Sequence, residues 1–290
     1  ACQLVNSSTS YLMNKTLYVS DMDGTLLNKD SVLSPTTVSK LNSLISQGAM
    51  FTVATARTPA TVVDLMKDVD ANLPFIVMAG CAMWNNRTME YDSARIIPKE
   101  NIRRLIRIFE RHGNNPFIYY KHENQIIVHH VRELTHEEEE FIAPRVQGQL
   151  KRLHPVDRLS ADATQDGAML IFSMGRFSDL RSIADDIDAE GISCAYNCYH
   201  DIFNEDAGFI DLYVEGTTKA AAIKELAART GAERVVVFGD NLNDIPMLKI
   251  ADWGVAVSNA FDEVKAVAHE VIGCNEDDSV VKWIEKDFMG

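Results

Sequence analysis

Two short acidic strings stand out for their chemistry. Ser20-Asp21-Met22-Asp23-Gly24-Thr25 closes an early apolar run, and Gly239-Asp240-Asn241-Leu242-Asn243-Asp244 closes a late one. Carboxylates two residues apart at the end of a buried strand sit where open α/β sheets place ligands. Gly24 lets the chain turn sharply there. If both runs are strands of one parallel sheet, their ends share an edge, and Asp21, Asp23, Asp240 and Asp244 converge. Like charges about 4 Å apart repel by about 4 kcal/mol at an effective dielectric of about 20. Such a cluster either shifts its pKa values or binds a cation. Hard oxygens with no His or Cys nearby point to Mg²⁺. The bland alternative for each string is an Asp-rich turn or a helix cap.

Two further positions would complement an anion. Thr55 ends the run Met50–Ala54 and precedes Ala56 and Arg57. Its hydroxyl and the next backbone N–H can bind phosphate oxygens. Lys219 falls in the first turn of an Ala-rich helix, where the helix dipole disfavours a cation. An anion between lysine and helix end removes that conflict. Taken singly, Thr55 reads as a β-former at a strand end and Lys219 as an exposed lysine. Their order with the two acidic strings gives them weight.

The elements that must position these residues follow from periodicity. Thr16–Ser20, Met50–Ala54 and Phe75–Met78 read as strands. Between them, Val38, Leu41, Leu44 and Ile45 mark one helix, closed by Gly48, and Val62, Val63, Leu65 and Met66 mark another. Alternation of this kind predicts a parallel sheet. The rhythm returns late, with a helix over Thr218–Arg229, a strand over Arg234–Phe238, a short helix over Ile245–Ile250 and a strand over Gly254–Val257. The middle differs. An amphipathic helix carries Ile102, Leu105, Ile106 and Phe109 on one face and arginines on the other. Phe117–Lys121 and Gln125–His129 form a hairpin pattern, and Thr135 with Glu138 a capping box. Strands over Ala168–Met174, Ile192–Tyr196 and Phe209–Val214, with a helix over Ser178–Ala189, complete an antiparallel α+β pattern. The reading is an α/β protein. A Rossmann-like parallel-sheet core, residues 15–85 and 215–290, is interrupted by an inserted α+β cap, residues 86–214. Residues 1–14 read as a disordered leader. Two chain crossings, near Trp84–Asn86 and Glu215–Thr217, would serve as a hinge.

Composition narrows the partners. The net charge of −14 over 290 residues repels nucleic acid and anionic membranes. The arginines between 103 and 111 therefore read as a solvated helix face and not as a nucleic-acid surface. Five cysteines at irregular spacing make a poor disulfide framework and fit a cytoplasmic setting. No apolar run is long enough to span a membrane. Cys194, Cys198 and His200 lack a second ligand pair, so they do not read as a zinc site. His129 and His130 point to opposite faces of a strand, which would let one of them face a cleft.

In this order, the four pieces resemble the motifs of the haloacid dehalogenase superfamily, and the insertion resembles the large α/β cap of its Cof-like hydrolases. The resemblance implies that Asp21 attacks phosphorus. Asp23 would protonate the leaving alkoxide and then deprotonate water. Asp21, the Asp23 backbone carbonyl and Asp240 would hold Mg²⁺, with Asp244 bound directly or one layer out. Met22, Thr55, the Ala56 amide, Lys219 and Asn243 would hold the phosphate. Three positions depart from the family pattern. Ala56 and Ala220 stand where glycine is usual, and Ala79-Gly80-Cys81 replaces Asn-Gly-Ala. The implied activity is Mg²⁺-dependent hydrolysis of a small phosphorylated metabolite, a sugar phosphate or a cofactor-like ester. The rivals are a phosphomutase of the phosphomannomutase type and a non-catalytic phosphate-sensing module.

Overall fold

The computed structural model describes residues 15–131, 133–146, 148–201 and 204–290; the expected leader, 1–14, lies outside them. β1 (Thr16–Ser20) is buried along its whole length. A strand buried on both faces needs neighbours on both sides, and β1 has them. α1 (Pro35–Ser46) starts where the Ser34 hydroxyl accepts from the Thr37 N–H at 3.0 Å, with proline in the first turn. β2 (Met50–Val53), α2 (Pro59–Leu65) and β3 (Phe75–Val77) follow. The next stretch folds as β4 (Ala82–Asn85) and β5 (Glu90–Ala94), which pair antiparallel beside β3. This hairpin is absent from the sequence reading, because polar residues interrupt its alternation. Asn86, where that reading begins the insertion, lies in the β4–β5 turn.

The middle of the chain supplies α3 (Lys99–Arg111), β6 (Phe117–His122), β7 (Gln125–Val131), α4 (His136–Ile142) and β8 (Lys151–Val156). It continues with β9 (Leu170–Arg176), α5 (Phe177–Ala189), β10 (Cys194–His200) and β11 (Ala207–Val214). The Thr135–Glu138 capping box is present. These strands form one sheet in the order β10-β11-β9-β6-β7-β8. It is mixed, since β8 runs parallel to β7 while the other pairs are antiparallel. β8 is also absent from the sequence reading; Pro155 and His154 hide it. The chain returns through α6 (Lys219–Thr230), β12 (Arg234–Gly239), α7 (Ile245–Ile250), β13 (Trp253–Val257), α8 (Asp262–Val267), β14 (Glu270–Ile272) and α9 (Ser279–Met289).

The core sheet has the order β14-β13-β12-β1-β2, all parallel. β3 continues it beside β2 through a parallel bridge between Ala54 and Ile76. β1 therefore sits centrally against β12, and Ser20 is level with Phe238. That register brings both acidic strings to one edge, one residue further on. No helix among the described residues is long and apolar enough to cross a membrane.

Gly80 fixes the connection between β3 and α6. It has φ +93°, and a Cβ there would lie 2.2 Å from the Thr218 carbonyl oxygen. Thr218 caps α6 by accepting from the Ala221 N–H at 3.0 Å. Gly80→Ala is expected to lower stability by about 2 kcal/mol or more, because the methyl group meets backbone and the φ is strained. Urea denaturation checks this; an unchanged midpoint would show that the contact relaxes without cost.

Candidate active site

The two acidic strings, 215 residues apart, meet directly. The Thr25 hydroxyl donates to Asp240 Oδ1 at 2.7 Å. Gly24, at φ +74°, lets the backbone pass against Asp240; a Cβ there would lie 2.4 Å from Asp240 Oδ2. The Asn259 amide donates to the Gly24 carbonyl at 2.7 Å and pins the turn from the β13 side.

Behind this contact, Lys219 Nζ donates to Asp21 Oδ1 at 2.6 Å and to Asp244 Oδ1 at 2.8 Å. All three side chains are buried. The other oxygen of Asp244 accepts from the N–H groups of Asp240 and Asn241, each at 3.1 Å. Gly239 allows this approach, since a Cβ there would lie 2.7 Å from the Asp244 Cβ. Asp244 thus spends both oxygens on holding the site together. Burial pushes Asp21 up to about 7, with Asp244 and Asp240 adding to the rise against the opposing pull of Lys219. Burial likewise raises Asp240 to about 6, against the Thr25 hydrogen bond. Burial alone would lower Lys219, but its two carboxylates outweigh that and hold it well above the usual lysine range.

The cluster has an excess of negative charge. Asp21, Asp240 and Asp244 each offer a carboxylate oxygen within 4.8 Å of the others. With Lys219 counted, the ionised set carries two negative charges more than it balances. A divalent cation with hard-oxygen preference fits both the charge and the donor type.

Thr55 is buried at the end of β2, and its hydroxyl accepts from the Arg57 N–H at 3.2 Å. Its own N–H donates to the Ile76 carbonyl at 2.9 Å, which holds this turn against β3. Ala56 and Asn243 are exposed at the mouth, while the Met22 side chain is fully buried in the core. Asp23 stands apart from the carboxylate cluster. Its side chain is half exposed and takes a bidentate pair from Arg57, at 2.8 and 2.6 Å. Met78 and Ala79, at φ 51° and 54°, are non-glycine residues in the left-handed region beside this edge. Such strain gathers at functional sites. His129 packs against Tyr120 and His154, and His130 against Phe117, so both histidines lie within the second sheet.

A family model for haloacid dehalogenase-like hydrolases matches residues 18–284. The chain belongs to this family. It is 26% identical over 275 residues to the pyridoxal phosphate phosphatase of Escherichia coli, covering 91% of this chain and 95% of that one. It is 23% identical over 272 residues to a 5-amino-6-(5-phospho-D-ribitylamino)uracil phosphatase of Bacillus subtilis, covering 92% and 96%. Among solved structures, a haloacid dehalogenase-like hydrolase of Bacteroides thetaiotaomicron superposes with a TM-score of 0.74 at 21% identity, over 94% of this chain and 99% of that one. The family accounts for the Cof-like resemblance and for the mixed second sheet within a parallel α/β core.

Three residues that hold this hydrolase's edge have no assigned role in the sequence reading. Thr25 and Arg57 adjoin quoted motifs and were legible by position. Asn259 follows β13 in Val257-Ser258-Asn259, and nothing in that string marks it.

Lys219→Met should leave Asp21 and Asp244 buried without their cation. Removing one partner of a buried charge pair costs about 3–5 kcal/mol. Thermal unfolding in EDTA should therefore show a clear loss, partly recovered by Mg²⁺. Equal stability of variant and parent in EDTA would mean that the lysine does not balance these carboxylates.

Proposed function

We propose that the protein is a Mg²⁺-dependent phosphatase that hydrolyses a small phosphorylated metabolite through an aspartyl-phosphate on Asp21. The observation that carries this reading is the buried Lys219 between Asp21 and Asp244, beside the half-exposed Asp23. Asp21, Asp240 and the Asp23 backbone carbonyl are the groups that would hold Mg²⁺, with Asp244 bound directly or one layer out through its contacts to Lys219 and the Asp240 N–H. When bound, the ion would neutralise phosphoryl charge that this acidic edge would otherwise repel.

The steps belong to the chain's own residues. Lys219 fixes the Asp21 carboxylate and supplies positive charge for the phosphoryl oxygens. Thr55, the Met22 and Ala56 amides and Asn243 bind the remaining oxygens. An Asp21 oxygen forms a bond to phosphorus as the ester oxygen leaves, and Asp23 gives that oxygen its proton. Asp23, now a carboxylate, takes a proton from water as the water oxygen attacks the phosphoryl group. Phosphate leaves, and Asp21 and Asp23 return to their starting states. Covalent catalysis divides one hard displacement into two. Asp23 can be acid and then base because each half-reaction restores what the other used. The part from α3 to β11 acts as the cap, closing over the metabolite. The two named relatives act on phosphate esters of heterocyclic compounds, which supports a cofactor-like substrate over a simple sugar phosphate.

Asp21→Asn is expected to abolish phosphate release, since an amide is a poor nucleophile. Turnover within about tenfold of the parent would remove Asp21 from that role. Asp23→Asn should slow hydrolysis of an alkyl phosphate by about 10²–10⁴-fold; an unchanged rate would defeat the acid–base assignment. EDTA should inactivate, Mg²⁺ restore and Ca²⁺ fail to restore, because Ca²⁺ takes more ligands at longer distances. Full turnover after exhaustive chelation is the result that excludes metal dependence.

A further inference from the structure

The two faces of the second sheet are finished differently. One face, with Ile118, Tyr120, Ile171 and Ile210, packs with α3 and α5 in an apolar core. The other face packs with residues of the catalytic core. α4 covers part of this second face, where Phe141 stacks on Phe172 with centroids 5.0 Å apart and lies tilted against Phe209 at 5.3 Å. The rest of it is polar and aromatic. Tyr119 on β6, Tyr199 on β10, Asp211 on β11 and Lys151 on β8 all point to this side, by their register with Val128, Phe209, Phe172 and Ile126.

Lys151 is the residue that the fold does not explain. It is 3% exposed. Its ammonium lies 5.0 Å from the Tyr119 ring centroid. Among the described residues it makes no ion pair and no hydrogen bond. Burial pulls it down to about 8, and the Arg145 charge adds to this. Arg145 itself lies over the Phe141 ring at 3.7 Å. The one carboxylate of the strip, Asp211, already accepts from the Tyr199 hydroxyl at 3.2 Å. The strip is therefore locally cationic in a protein of net charge −14. A buried ammonium without an acceptor is costly, so the fold gains from a ligand that brings one. The face that carries the strip packs into the same apolar cluster as Met22 and Ala54, the chain neighbours of Asp21 and Thr55.

We propose that this strip holds the leaving group of the phosphate ester, that the leaving group is a planar ring carrying an ionised oxygen, and that Lys151 pairs with that oxygen. The inference rests on the phosphatase reading and names the substrate class for the same site. Tyr119 and Tyr199 supply ring surfaces for stacking. Arg145 adds positive charge at the edge. Lys151 is a specificity-determining residue, remote from the reacting bonds.

The test compares two arylmethyl phosphates. Pyridoxine 5′-phosphate carries an acidic ring hydroxyl and no aldehyde that could condense with a lysine; benzyl phosphate carries neither. Lys151→Met is expected to lose about tenfold or more in kcat/KM on pyridoxine 5′-phosphate, mostly through KM, and about threefold or less on benzyl phosphate. Lys151→Arg should keep the preference. Equal losses on both esters, or no loss on either, would overturn the pairing. Hydrolysis of neither ester by the parent would count against the phosphatase reading alone. Equilibrium binding of pyridoxine 5′-phosphate then reads the strip by itself. A dissociation constant raised about tenfold in Lys151→Met sustains the inference, and an unchanged one overturns it.

Discussion

Lys219 reaches Asp21 at 2.6 Å and Asp244 at 2.8 Å, and so ties together segments that are 198 and 25 residues apart in the chain. Much of the local backbone geometry serves that contact. Gly80 lets the β3 turn press against the start of α6, which sets where Lys219 begins. Gly239 lets the Asp244 side chain fold back against β12. Gly24 lets the first acidic turn lie on Asp240. At each of these places a methyl group would push one charged partner away from the others. A cation near a helix N-terminus is unfavourable in isolation. Here the two carboxylates overcome both that effect and the desolvation of the ammonium. The lysine in turn makes it tolerable to bury two carboxylates that would otherwise repel each other.

Charges at this edge fall into two groups. Asp21, Asp244 and Lys219 are locked by burial and by hydrogen bonds to fixed groups. Asp23 and Arg57 form a pair at the mouth, where water screens it and the pair is worth little. This division suits the proposed mechanism. A nucleophile and its orienting cation gain from rigidity, whereas an acid that later becomes a base must exchange protons and change partners. The bidentate Arg57 pair occupies both carboxylate oxygens of Asp23. Substrate binding would have to loosen it before Asp23 donates a proton. A weak, exposed pair can be loosened at small cost.

The convergence of the two acidic strings was legible in the sequence, for a physical reason. A parallel sheet places all its strand ends on one side, so acidic strings after two buried runs must converge, wherever the intervening chain goes. The buried runs announce themselves by composition alone. Ser20 and Phe238 are level in neighbouring strands, as convergence of Asp21 and Asp240 requires. What stayed hidden has no period to read. β4 and β5 are short, with a bulge between Met83 and Trp84. β8 contains a proline and three polar residues, and its parallel pairing with β7 is set by distant partners. Asn259 acts through a side-chain contact to the Gly24 carbonyl that leaves no trace in local pattern.

Lys151 shows the same limit from the other side. In the sequence, Gln149-Leu150-Lys151-Arg152 is an ordinary polar stretch, and a lysine there reads as solvated. Only the pairing of β8 with β7 turns it inward, opposite Ile126 and on the face that meets the core. The lysine is thus buried by sheet register and not by any preference of its own. Arg152, one residue on, points the other way, as the alternation of a strand requires. A register shift of one residue would exchange them and leave the inner face with a longer, always-charged guanidinium. The apolar residues of β7 fix that register, because Ile126 and Val128 are themselves fully buried on the inner face. The hydrophobic pattern of one strand therefore decides which cation of its neighbour lies on the inner face.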